Sequence, residues 1–112
     1  MHAIVMKVAL ASTLAALLAL APAAKAQTAD PTTGARLART VCSTCHAIGD
    51  DPKAKHPDPA APSFVDVSRM PSTTELSLKV FLRSSHKNMP NIILTPEEID
   101  SVAAYILGLG KK

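Results

Sequence analysis

Tryptophan is absent from the 112 residues, and the aromatic rings come to Phe64, Phe81 and Tyr105. So few rings leave little to stack on bases, and no clustered basic face accompanies them, which argues against a nucleic-acid partner. Alternating strand patterns of useful length are missing, as are internal repeats and any sign of a second domain. Cysteine is limited to Cys42 and Cys45, with no odd thiol left over. Long hydrophobic runs are missing too. The longest, "VALASTLAALLAL", ends before Pro22 and Lys25 and falls short of the roughly 20 apolar residues a membrane-spanning helix needs.

What is present at the start is the order of a secretory signal. A lysine-bearing "MHAIVMK" precedes the apolar run, and "APAAKA" supplies a small-x-small site. The expectation is a signal peptide over residues 1–26, cleaved after Ala26 to leave Gln27 first, with an uncleaved anchor as the alternative. No cysteine stands at that site, which argues against a lipoprotein. Loss of Lys7 and Lys25 leaves ten basic residues against nine acidic ones, so the sequence pI of 9.1 overstates the basicity of the mature domain. Residues 27–112 form one small domain with a modest core, a size at which folds lean on a disulfide, a metal or a cofactor.

That domain reads as all-α. Asp30 caps a helix expected over residues 31–44, Pro31 suits its first position, and Leu37 and Val41 give it an apolar stripe. Residues 49–63, with four prolines and three aspartates, form a long loop, a feature that in so small a domain calls for a function. Ser72 and Glu75 match a capping box for a second helix carrying Leu76, Val80 and Phe81 on one side. Thr95 and Glu98 repeat that box for the last helix, with Pro96 leading it. Ile99, Val102, Ala103 and Ile106 line one face of this helix, and Gly108 and Gly110 end it.

The chemistry sits in "TVCSTCHAIG". A thioredoxin-like pair requires a preceding strand and a helix starting at the first cysteine, whereas these cysteines fall at a helix end. A zinc site requires a second local pair of ligands, and His56 and His86 are scattered singles. C-x-x-C-H, which uses Cys42, Cys45 and His46 together, is the attachment signal for c-type haem. The two thiols would bond the macrocycle and His46 would offer an imidazole nitrogen to the iron. An exported location is where that attachment is made.

With these residues the chain resembles the small class I cytochromes c of bacteria across its whole mature region. "GARLARTVCSTCHAIG", "APSF", "NMPN" and "LTPEEIDSVAAYILGL" carry the resemblance. It implies a cytochrome c fold in which the first and last helices cross near the haem, with a third helix between them. Gly34 resembles the glycine that permits the crossing, with Val102 and Tyr105 as its partners. The chain departs from the pattern at Ala38, where many relatives carry an aromatic, and a looser crossing is the expectation there.

Four side chains, Met70, Met89, His56 and His86, are candidates for the other face of the iron. The resemblance implies Met89, in the loop "HKNMPN", and implies the Pro62 carbonyl as acceptor for the second ring N–H of His46. Met70 reads instead as a lid or core residue, and His86 as a solvated histidine at a helix end. A His/Met pair fills both axial positions and raises the reduction potential. The expected function is a periplasmic one-electron carrier with one haem c, not an enzyme. It would meet reductase and oxidase partners transiently, as a monomer with no membrane insertion after cleavage. Lys53, Lys55, Lys79, Arg83 and Lys87 are candidates for a positive docking rim. The alternatives are a haem sensor or peroxidase-like protein with a labile sixth ligand, and a haem subunit of a periplasmic dehydrogenase.

Overall fold

The computed structural model describes residues 28–51 and 57–111. The expected signal segment, Gln27, and the loop residues Lys53, Lys55 and His56 lie outside the described residues. Four α-helices appear, and no strand is present among the described residues: α1 Pro31–Thr40, α2 Phe64–Arg69, α3 Glu75–Leu82 and α4 Pro96–Leu109. A 3-10 turn, Cys42–Thr44, follows α1 directly.

Each helix starts where a side chain satisfies the first free backbone N–H groups. The Asp30 carboxylate accepts from the backbone N–H groups of Thr32 and Thr33 and from the Thr33 hydroxyl. These bonds, the Thr33 hydroxyl first, hold its carboxyl below the usual carboxylate range. Thr95 and Glu98 form the expected reciprocal box at the start of α4, with Pro96 in its first turn. Gly110, rather than Gly108, is the cap that ends it.

Two expectations are corrected. The box at α3 is formed by Thr74 and Ser77, not by Ser72 and Glu75. The chain is still turning at Ser72, because the Thr73 N–H bonds the Met70 carbonyl and the Thr73 hydroxyl bonds the Val67 carbonyl. The helix therefore begins two residues later than the Ser72 box requires. The first helix also ends at Thr40 rather than continuing to Thr44, tightening into the 3-10 turn that carries the cysteines. One helix was not anticipated. In α2 the Ser63 hydroxyl accepts from the Asp66 N–H at 3.0 Å and donates to the Asp66 carboxylate at 2.7 Å. Ser-x-x-Asp in "SFVD" is the local signal that marks it.

The core lies where α1 crosses α4. Leu37, Ala38, Phe64, Leu78, Val102, Ala103, Ile106 and Leu109 are buried together there, and Ile99 on the same face of α4 is buried as well. Gly34 makes the crossing possible. A Cβ at that position would overlap the Ser101 carbonyl oxygen and lie 2.6 Å from its carbon and 2.9 Å from Tyr105 Cβ. Its closest partners are thus the Ser101 backbone and Tyr105, with Ser101 in the place expected of Val102. Ser101 also accepts from the Asp30 N–H through its hydroxyl, at 3.2 Å. Ala38 is completely buried in the core, so its small side chain goes with close approach of the helices and not with an opening between them.

The side of α3 that carries Leu76, Val80 and Phe81 is turned away from the core. Leu78 points into the core, while Leu76, Val80 and Phe81 stand 72%, 57% and 52% exposed. Lys79 fastens this orientation by bridging Glu75 at 2.6 Å and Asp100 of α4 at 3.0 Å. An apolar stripe faces outward.

Candidate functional site

The site is built on the tight turn after α1. The Cys42 carbonyl accepts from the N–H groups of both Cys45 (3.2 Å) and His46 (2.9 Å), so the two cysteines and the histidine share one compact turn. Both thiols are free and half-buried. Burial pushes the Cys42 thiol above its usual pKa, the opposite of the lowered value on which a dithiol redox catalyst depends. Among the described residues no three His, Cys, Asp or Glu side chains gather as a metal site. The geometry therefore favours neither of the competing chemistries of a cysteine pair.

His46 is held on several sides. Its Nδ1 lies 2.7 Å from the Pro62 carbonyl oxygen. A carbonyl can only accept, so Nδ1 carries the proton and Nε2 keeps a free lone pair. Phe64 packs its ring against the imidazole at 5.3 Å between centroids, tilted 45°, and its backbone N–H bonds the Ala47 carbonyl at 2.9 Å. The end of the proline-rich loop is tied to the same turn through the Asp58 N–H and the Cys45 carbonyl, 3.1 Å apart. The Tyr105 hydroxyl donates to the Ile48 carbonyl at 2.8 Å and clamps the segment after His46 onto α4.

Sequence reasoning missed both the Phe64 packing and the Tyr105 clamp. Phe64 adjoins the Pro62-Ser63 corner that positions His46, which was a local cue. Tyr105 lies 57 residues from its acceptor, and nothing local announces that bond.

Met89 sits half-buried in a tight turn, residues 86–89. His86 and Met89 pair across it as an isolated antiparallel bridge, with the Met89 N–H bonding the His86 carbonyl at 2.9 Å. Lys87 adopts φ 47°, a left-handed conformation that non-glycine residues rarely take. His86 is not the solvated histidine expected. It is half-buried, meets Phe81 edge-on at 4.9 Å, and brings Nδ1 within 3.2 Å of the Ser84 carbonyl. Met70 caps α2 and is 45% exposed, so it is not a core residue. Lys79, tied to two carboxylates, contributes no free charge to a positive rim.

Together these features fit a c-type haem. Two free thiols share one turn with an imidazole whose Nε2 is available. Leu76, Val80 and Phe81 present an uncovered apolar stripe, and Phe81 continues through His86 to the turn that holds Met89. A flat apolar cofactor would bury such a surface at about 25 cal/mol per Å².

The comparisons with known proteins point the same way. The family model described as cytochrome c oxidase, cbb3-type, subunit III, matches residues 29–106. The cytochrome c-552 of Bradyrhizobium diazoefficiens is 36% identical over 78 residues, which span 70% of this chain and 73% of that protein. No solved structure matches the chain at a significant level.

Proposed function

The chain belongs to the cytochrome c family, and from that premise we propose a periplasmic one-electron carrier whose single haem c is bonded to Cys42 and Cys45 and ligated by His46 and Met89. That the chain is a haem c electron carrier follows from its family membership. The ligand set and the periplasmic location are the further reading. When bound, haem c supplies a ferrous–ferric couple that takes up or releases one electron.

The observation that carries the His46 assignment is the 2.7 Å approach of its Nδ1 to the Pro62 carbonyl oxygen. With Nδ1–H committed to the Pro62 carbonyl, Nε2 is the only ring nitrogen able to bind iron, and the carbonyl raises its basicity. Phe64 packs against the ring, 5.3 Å between centroids. Met89 would offer a neutral thioether, which favours the ferrous state, and with His46 and Met89 both holding the iron no place would be left for oxygen or peroxide. His46 and Met89 would then hold a group that changes charge by one without binding or releasing a substrate. Carriers of this family are generally not enzymes, and we extend that to this chain.

The redox partners are transient in this reading, with contacts below about 1,200 Å². Of the candidate rim cations, Arg83 and Lys87 are the exposed ones among the described residues. A transfer rate independent of ionic strength would remove them as steering groups. Small relatives are typically periplasmic or membrane-associated, and no helix among the described residues is long and apolar enough to cross a membrane. Export by a cleaved signal over residues 1–26 is part of the proposal, and the mass of the mature protein tests it.

The deciding experiment is the optical spectrum of the purified protein, oxidised and reduced. Sharp reduced bands that survive acid-acetone extraction establish covalent haem. The weak far-red band of methionine-ligated ferric haem tests Met89, and rapid carbon monoxide binding at neutral pH would favour the sensor reading instead. A second reading has a specific observation behind it, since the matching family model describes an oxidase subunit. Stable co-purification with a membrane oxidase or a periplasmic dehydrogenase would favour a subunit over a free carrier.

A further inference from the structure

His86 is arranged as His46 is. Each imidazole has Nδ1 near a backbone carbonyl, Pro62 for His46 at 2.7 Å and Ser84 for His86 at 3.2 Å. In each case the carbonyl selects the Nδ1–H tautomer and leaves the Nε2 lone pair free. Each ring is also steadied by a phenylalanine, Phe64 in one case and Phe81 in the other. These are the conditions in which a histidine is a competent ligand.

Its placement is set by the bridge with Met89. Residues directly opposite in an antiparallel pair send their side chains to the same face, with Cβ atoms about 4.5–5.5 Å apart. Whatever face receives the Met89 sulfur is therefore the face on which His86 emerges. The left-handed backbone at Lys87 keeps the intervening turn tight. Phe81 joins His86 to the uncovered stripe of α3, so the imidazole lies at the edge of that apolar surface.

We propose that His86 is a reserve axial ligand, which takes the sixth position when the Met89 thioether is lost. The proposal rests on the assignment of Met89 to the iron. The exchange breaks one bond to a neutral sulfur and forms one to a neutral imidazole nitrogen, so no electron or proton changes hands. Its consequence is a closed site. A carrier that loses its methionine bond would not become an open, peroxidase-like protein; it would fall to a low potential with His46 and His86 on either side. A thioether favours ferrous iron, and its replacement by imidazole withdraws that preference.

The test uses the purified haem-loaded protein and its Met89→Ala and His86→Ala/Met89→Ala variants. The wild type is expected to show the far-red band. Met89→Ala is expected to lose that band, remain low-spin in the ferric state and shift to a lower potential. The double variant is expected to become high-spin. It should also bind carbon monoxide roughly tenfold more tightly than Met89→Ala, the factor produced when about 90% of the sites are closed by the competing ligand. If Met89→Ala is itself high-spin, or if the double variant stays low-spin through another side chain, the proposal is overturned. If the wild type lacks the far-red band and Met89→Ala leaves its spectrum unchanged, the methionine assignment fails first and the reserve role falls with it. The single His86→Ala variant should keep the far-red band, which separates a reserve ligand from one needed to form the turn.

Discussion

Replacing Gly34 with alanine sets two effects of opposite sign against each other. Gly34 lies within α1, where alanine is favoured over glycine by about 0.8–1.0 kcal/mol on helix propensity alone. The added Cβ, however, would overlap the Ser101 carbonyl oxygen and lie 2.6 Å from the carbonyl carbon and 2.9 Å from Tyr105 Cβ. Backbone cannot swing aside as the end of a long side chain can, so α1 and α4 must separate along the buried crossing. Overpacking of this kind costs typically 1–3 kcal/mol, and a backbone obstacle puts it near the upper end. The net expectation for Gly34→Ala is a loss of about 2 kcal/mol. In a domain of this size that lowers Tm by on the order of 10 °C. Gly108→Ala is the control, because a Cβ there meets nothing within 4 Å and Gly108 also lies within a helix. It should gain about 0.5–1 kcal/mol. Denaturant unfolding of the haem-loaded variants, followed by both the Soret band and helical signal, measures both changes. A Gly34→Ala variant as stable as the wild type, or more so, would refute the close crossing.

Three further outcomes follow from particular contacts. Tyr105→Phe removes the hydroxyl that clamps the Ile48 carbonyl and should cost about 1 kcal/mol, read as a lower guanidinium midpoint; an unchanged midpoint would show that the clamp is idle in solution. Lys79 has its pKa raised by hydrogen bonds to Glu75 first and then to Asp100. A raised folded value means that its contribution is complete below the unfolded lysine value of about 10.4 and is lost as pH rises through the folded one. Wild-type urea midpoints should therefore fall more steeply than those of Lys79→Met from about pH 10 upward, and parallel curves would count against the bridge. The Cys42→Ala/Cys45→Ala chain, which cannot attach haem, should be largely unfolded because Leu76, Val80, Phe81 and Ile93 stand half to almost fully exposed without a cofactor to cover them. A cooperative thermal transition in that variant would show that the protein core suffices.

What could be read from the chain alone was what neighbouring residues decide among themselves. Asp30 and the Thr95–Glu98 pair act over two or three positions, so their caps are legible without a fold. C-x-x-C-H is equally local, since Cys42, Cys45 and His46 share one turn, and its chemistry follows from residue types and spacing. The face of α4 was legible because Ile99, Val102, Ala103 and Ile106 recur at helical spacing behind a strong cap. Helix α3 offered no such single face. "ELSLKVFL" has apolar side chains on more than one face, and only packing against α4, fastened by Lys79 to Asp100, decided that Leu78 would be buried and that Leu76, Val80 and Phe81 would face outward. Tertiary structure alone also brought Tyr105 to Ile48, laid Gly34 on the Ser101 backbone, and folded residues 86–89 so that His86 and Met89 share a face. Each of these depends on groups far apart in sequence or on an uncommon backbone conformation, and the energy that selects them exists only once the helices have met.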